Sequence, residues 1–190
     1  MVVSRASGCS VARQIETGVT ISLAELNALP PPEAAKVFAE CCGSSRWVEE
    51  MSARRPFESR EAALGAANDV CALLDTDDWL EAFAHHPRIG ARASDIAQGK
   101  QGSAWSAREQ SGMDEARDTT REELAAINLE YERRFGFIYI VCATGKTGDE
   151  MLALARQRMK TDPEIEISIA AEEQRKITQS RLKKLLAEAS

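Results

Sequence analysis

Histidine is nearly absent: His85 and His86 are the only two in 190 residues, and they are adjacent. Neighbouring side chains at a helix end point in different directions, so this pair does not make the shared metal site of histidines four apart on a helix. No metal site is expected. Cysteine is also sparse and lacks a pairing pattern. Cys9, Cys41, Cys42, Cys71 and Cys142 are odd in number and contain no Cys-x-x-Cys spacing, which favours reduced thiols in a cytosolic protein over a disulfide framework or a zinc ribbon. Nothing adjacent to Cys41-Cys42 would lower a thiol pKa, so with Trp47 they read as packing. Cations are in deficit, 24 Lys and Arg against 30 Asp and Glu, for a net charge of -6. Phosphate backbones and anionic lipid attract excess cations, so neither nucleic acid nor a membrane surface is an expected partner. No apolar run approaches the roughly 20 residues that cross a bilayer. The N-terminal stretch Met1 to Gln14 lacks the apolar core of a secretory signal, and the C-terminal Ala187-Glu188-Ala189-Ser190 is not a peroxisomal address. A cytoplasmic location is the expectation.

What is present is the composition of a folded soluble domain, 44% apolar and 28% charged, in a length that suits one domain. Residues 1–20 show little period and several Gly, Ser and Thr, the mark of a flexible extension; residues 21–190 form the domain. Ser22-Leu23-Ala24-Glu25 reads as a capping box. Apolar-periodic segments follow over Pro31 to Cys42, Ser45 to Arg55, Ser59 to Leu74 and Asp77 to His85. In the longest of them Ala63, Ala67, Val70, Cys71 and Leu74 share a helix face. Between Gly90 and Ser106 lies a long loop of Gly, Ser, Ala and Gln. A charged helix over Asp114 to Arg134 carries the stripe Leu124, Ile127, Tyr131 and stops at Phe135-Gly136. The apolar run Phe137 to Ala143 fits a buried strand or a buried helical turn equally well. Thr147-Gly148-Asp149-Glu150 opens a further helix to about Met159, and Asp162-Pro163 opens the last, with Ile165, Ile169, Ile177, Leu182 and Leu185 on one face. The expected architecture is an all-α, single-domain helical bundle.

Three places carry candidate chemistry. His86 leads into Pro87-Arg88-Ile89-Gly90. As a cation at a helix end it would serve as a cap, yet histidine is also the side chain suited to proton transfer near neutrality. Glu109, in Ser106-Ala107-Arg108-Glu109-Gln110, fits a capping box and is equally a candidate acid. Arg181 lies one helical turn from both Ile177 and Leu185, beside the buried stripe, where a guanidinium needs an anion. That anion is either a structural carboxylate or a substrate.

His86-Pro87-Arg88-Ile89-Gly90, Ser106-x-x-Glu109-Gln110, Phe135-Gly136-Phe137 and Lys176-Ile177-x-x-x-Arg181-Leu182 together resemble the OHCU decarboxylases of urate degradation. The similarity runs over about residues 23 to 187 and includes Leu26-Asn27, Cys41-Cys42 with Trp47, and Arg55-Pro56-Phe57. Ile138-Tyr139 departs from the Pro-Phe usual in animal members. The resemblance implies an all-helical, commonly homodimeric enzyme that converts 2-oxo-4-hydroxy-4-carboxy-5-ureidoimidazoline to (S)-allantoin and carbon dioxide. It implies His86 as catalytic acid/base and Glu109 as its acidic partner. Around an anionic small-molecule substrate it places Pro87, Ser106, Ala107, Arg108, Gln110, Tyr139, Ile140, Val141, Cys142, Ala143 and Arg181. Electrons released with the carboxylate can delocalise into the substrate ring, so no cofactor is expected. Two other classes compete with this one. A metal-dependent hydrolase has too poor a ligand set; a helical binding or scaffold module would use His86 and Glu109 only as helix caps.

Overall fold

Start signals set the helices of the computed structural model, which describes residues 20–89 and 118–187. Among these residues there are eight helices and no strand: α1 (Leu23–Ala28), α2 (Pro31–Cys41), α3 (Ser45–Ala53), α4 (Arg60–Cys71), α5 (Thr76–Ala84), α6 (Asp118–Phe135), α7 (Gly148–Arg158) and α8 (Pro163–Leu185). The all-α expectation holds. Ser22 with Glu25, and Thr147 with Glu150, form the capping boxes read from the sequence, and Asp75 with Asp78 forms a third. Ser44 and Ser59 cap α3 and α4 by accepting from Trp47 and Ala62 N–H, and Asp162 caps α8 ahead of Pro163. Each such cap contributes about 1 kcal/mol relative to alanine.

Two apolar clusters result. The first gathers Leu26, Phe38, Trp47, Met51, Phe57 and Val70 from the N-terminal helices with Leu182 and Leu185 of α8. The second gathers Phe83 of α5, Leu124 and Tyr131 of α6, Met151 and Ala155 of α7, the run Phe137 to Val141, and Ile177 of α8. Helix α8 packs against α2, α4, α5 and α6 and passes from one cluster to the other between Ile177 and Leu182. That crossing fixes where the site lies.

Two readings need correction or completion. Ile165 is not on the buried face of α8 but 57% exposed, and Glu166 takes the inward position at 0%. The reason is polar. Glu166 Oε1 accepts from Arg158 Nε at 2.6 Å and from the Tyr131 hydroxyl, so the helix face is rotated to satisfy a buried ion pair. The run Phe137 to Ala143, open between strand and helical turn, is neither. It is an irregular buried segment delimited by Gly136 and Gly145, both at positive φ (81° and 77°), where glycine carries no Cβ penalty.

Candidate active site

An irregular segment buried without a sheet partner must find other hydrogen bonds for its backbone. Three helices supply them. Asn128 of α6 accepts the Tyr139 N–H at 3.3 Å, Arg158 of α7 donates to the Ile140 carbonyl at 2.6 Å, and Glu173 of α8 accepts the Cys142 N–H at 2.8 Å. Lys146 Nζ donates to the Cys142 carbonyl at 2.6 Å. Arg158 is itself held over the Tyr139 ring, 4.9 Å from its centroid. The N–H groups of Ile140, Val141 and Ala143 have no partner among the described residues.

The opposite wall comes from the end of α5. His85, the C-cap residue, bonds through Nδ1 to the Glu81 carbonyl at 2.9 Å and covers Gly43, where an added Cβ would fall 2.4 Å from the His85 Cγ. His85 therefore takes the capping role, and His86 is released from it. Downstream, Arg88 grips Glu132 of α6 through Nε and Nη2, and Asn128 Nδ2 donates to the Ile89 carbonyl at 3.2 Å. Asn128 thus bonds to both walls.

Between the walls is a partly open cavity lined by His86, Pro87, Ile89, Tyr139 to Thr144 and Ile177. Seven residues expected at the site meet here: His86, Pro87, Tyr139, Ile140, Val141, Cys142 and Ala143. Arg181 is buried on α8, as its spacing predicted, but is not part of the lining. It lies one turn beyond Ile177 and donates from Nη1 to the Glu40 carbonyl at 3.3 Å. Ser106, Ala107, Arg108, Glu109 and Gln110 lie outside the described residues. Residues missed from sequence are Asn128, Glu173 and Gln174. Their only signal was a polar side chain at a helix-face position where an apolar one is usual.

Burial pushes the His86 imidazolium pKa down to about 3, the Arg181 charge and His85 act in the same direction, and Gln174 opposes them. The residue keeps some open surface because it lines the cavity, while protein packed around the ring disfavours the charged form. His86 is therefore neutral at neutral pH, with a lone pair to accept a proton. Burial raises the Cys42 and Cys71 thiols to about 11 and about 12, so neither is a nucleophile. Among the described residues no three His, Cys, Asp or Glu side chains gather around a metal position. No described helix is long and apolar enough to cross a membrane.

Fold and cavity define a class: an all-helical protein in which a neutral histidine and the irregular segment Tyr139 to Thr144 line one cavity. Residues 27–183 match the OHCU decarboxylase family model, and the chain belongs to that family. It is 40% identical over 152 residues to the uric acid degradation bifunctional protein TTL of Arabidopsis thaliana, covering 78% of this chain and 46% of that protein. It is 24% identical over 165 residues to the 2-oxo-4-hydroxy-4-carboxy-5-ureidoimidazoline decarboxylase of Haloferax volcanii, covering 85% and 94%. A crystal structure of OHCU decarboxylase in the presence of (S)-allantoin is similar at a TM-score of 0.68 and 37% identity, covering 78% of this chain and 96% of that one. The chain spans under half the length of the bifunctional relatives, 46% of the Arabidopsis protein and 32% of each Bacillus one.

Proposed function

We propose that this chain decarboxylates 2-oxo-4-hydroxy-4-carboxy-5-ureidoimidazoline to (S)-allantoin and carbon dioxide in urate degradation, with His86 as acid/base. The observation that carries the reading is the meeting of neutral His86 and Pro87 with the Tyr139 to Ala143 wall in one cavity, in a chain of this family. In the substrate the carboxylate leaves a carbon that bears a hydroxyl and adjoins a C=N bond. The electron pair of the broken C–C bond forms a C=C bond within the ring, and the C=N π pair moves to nitrogen, which takes a proton. The enol so formed loses its hydroxyl proton and gains one at the neighbouring carbon, on one face only. A neutral imidazole accepts the first of these protons and returns the second. Glu109 is its acidic partner. The N–H groups of Ile140, Val141 and Ala143, without a partner among the described residues, suit ring carbonyls on which charge develops, and Ser106 to Gln110 with Arg181 complete the substrate's surroundings. The ring itself is the electron sink, so neither metal nor organic cofactor has a task. The proposed setting is one catalytic domain over residues 21–190, acting in the cytoplasm as a homodimer; the extension expected over residues 1–20 lies, but for residue 20, outside the described residues.

The test is turnover of freshly generated substrate, followed by the optical rotation of the product. His86→Ala should leave only spontaneous decay to racemic allantoin, while His85→Ala retains most turnover and gives the (S) product. Equal turnover in the two variants would remove His86 from the mechanism. It would favour instead a binding module in which this segment is structural.

A further inference from the structure

The peptide that joins two residues is one resonant unit, so a cation placed on its oxygen strengthens the hydrogen bond that its N–H can donate. Two peptides of the cavity segment carry such a cation. Arg158 Nη1 donates to the Ile140 carbonyl and Lys146 Nζ to the Cys142 carbonyl, each at 2.6 Å. The N–H groups of these same two peptides belong to Val141 and Ala143. Both residues are buried and line the cavity, and neither N–H has a partner among the described residues. The Cys142 N–H is accepted by Glu173 Oε2 at 2.8 Å, so the one amide bonded to a carboxylate lies between the two that are backed by cations. The cations are not equal. Arg158 is offset by Glu166 at 2.5 Å, whereas Lys146 has no carboxylate within ion-pairing distance among the described residues, the neighbouring Glu173 being paired with Lys176 at 2.6 Å. Lys146 is half-buried and stands outside the cavity lining. Its own N–H closes a turn on the Ala143 carbonyl at 3.0 Å, with Gly145 at positive φ inside it.

We propose that Lys146 is a positioning residue for the reaction: acting through the Cys142 carbonyl, its charge makes the Ala143 N–H a stronger donor to a substrate oxygen on which negative charge grows. Arg158 does the same for Val141, more weakly because Glu166 offsets it. Such a donor contributes most where the charge it meets exists only in the transition state. No bond is made or broken at either cation, and neither touches the ligand. The ligand group this arrangement takes is a carbonyl or carboxylate oxygen. The effect on rate rests on the decarboxylase reading; the strengthening of the Ala143 donor does not.

Lys146→Met keeps an unbranched side chain and removes both charge and donor, while Lys146→Arg keeps both. In turnover of the ureidoimidazoline, kcat of Lys146→Met should fall by about tenfold, less than the roughly 10²-fold that loss of a whole donor costs. KM should stay within about twofold, and Lys146→Arg should recover most of the lost kcat. In ¹⁵N-labelled full-length protein titrated with (S)-allantoin, the Val141 and Ala143 amide protons should move downfield as they donate to its carbonyls. Lys146→Met should shrink the Ala143 movement and spare that of Val141. Lys146→Gln, neutral but polar, gives the same reading should Lys146→Met fail to fold. A lysine that merely closes the turn would lower Tm and leave kcat and the Ala143 response unchanged. Parental kcat in the folded neutral variants, or an Ala143 amide that (S)-allantoin leaves unmoved in the parent protein, overturns the proposal. A protein with no turnover whose Ala143 response still depends on the Lys146 charge overturns the decarboxylase reading and leaves the positioning role in place. Turnover in a parent protein whose Ala143 amide does not respond has the reverse meaning.

Discussion

Asn128 is one side chain serving both walls of the cavity, and its removal gives a stability change that can be worked out in advance. Its Nδ2 donates to the Ile89 carbonyl and its Oδ1 accepts the Tyr139 N–H, with the residue 1% exposed. Asn128→Leu nearly keeps the volume and leaves both backbone groups unpaired, at about 1–3 kcal/mol each. Extra apolar burial returns about 1 kcal/mol, for a net loss of about 3 kcal/mol. In a chain of this length 1 kcal/mol moves Tm by about 2–4 °C, so Tm should fall by about 6–12 °C. Asn128→Asp separates the two bonds, because a carboxylate still accepts from Tyr139 but faces the Ile89 carbonyl without a proton to donate. Its folded-state pKa must then lie above the unfolded value of about 3.9. Stability is retained below that value and is lost as pH rises toward the folded pKa. Urea unfolding followed by far-ultraviolet circular dichroism at several pH values reads both effects. A loss under about 0.5 kcal/mol in Asn128→Leu, within the range of neutral surface changes, would refute the reasoning, as would a pH-independent deficit in Asn128→Asp.

Gly43→Ala should cost about 1–3 kcal/mol as an overpacked site; His85→Ala should not rescue it, because the His85 Cβ already lies 2.6 Å from the added atom. Full recovery of Tm in the double variant would show that the contact is with the ring alone. The depressed His86 pKa means that the unfolded chain takes up a proton first as pH falls below about 6.5, so stability should drop from there toward about 3. His86→Asn should remove that component of the pH profile; an identical profile would place the imidazole in solvent. Glu109→Gln keeps shape and capping ability, so turnover should fall at least about 10²-fold with Tm nearly unchanged, whereas lost Tm with normal turnover would make Glu109 a cap. Arg181→Lys keeps charge but not the planar fork, and should weaken substrate binding; a parental KM and kcat would confine Arg181 to bonding the α2 carbonyl.

Local signals located the helices because caps act within four residues, and Ser22, Thr147 and Asp162 needed no distant partner to be read. The motifs divide differently. Asn27 donates to the Phe57 carbonyl and accepts its N–H, both at 2.9 Å, while Arg55 Nη1 donates to the Leu26 and Leu29 carbonyls. Leu26-Asn27 and Arg55-Pro56-Phe57 are therefore a lock between α1 and the turn before α4, not part of the cavity. His86 was legible as the residue of interest, but its neutrality was not, since that depends on burial and on Arg181, 95 positions away. The run from Phe137 was ambiguous because strand and turn compositions overlap, and its answer resides in polar residues of three other helices. Glu166 was hidden for the same reason: without Arg158 and Tyr131 in view, Ile165 is the natural inward residue.

The wall formed by Tyr139 to Ala143 also differs from a strand in how it tolerates change of length. A strand in a ladder can slip by two residues and recover an equivalent set of bonds, because every rung is the same pair of backbone groups. This segment has no ladder. Tyr139, Ile140 and Cys142 are each addressed by a different side chain, from α6, α7 and α8 in turn, so no shifted alignment satisfies all three. Its position along the chain is keyed, and a one-residue insertion or deletion between Gly136 and Gly145 has no neighbouring minimum to fall into. The amides of Ile140, Val141 and Ala143, without a partner among the described residues, are held at fixed addresses as a result, although no regular secondary structure supports them.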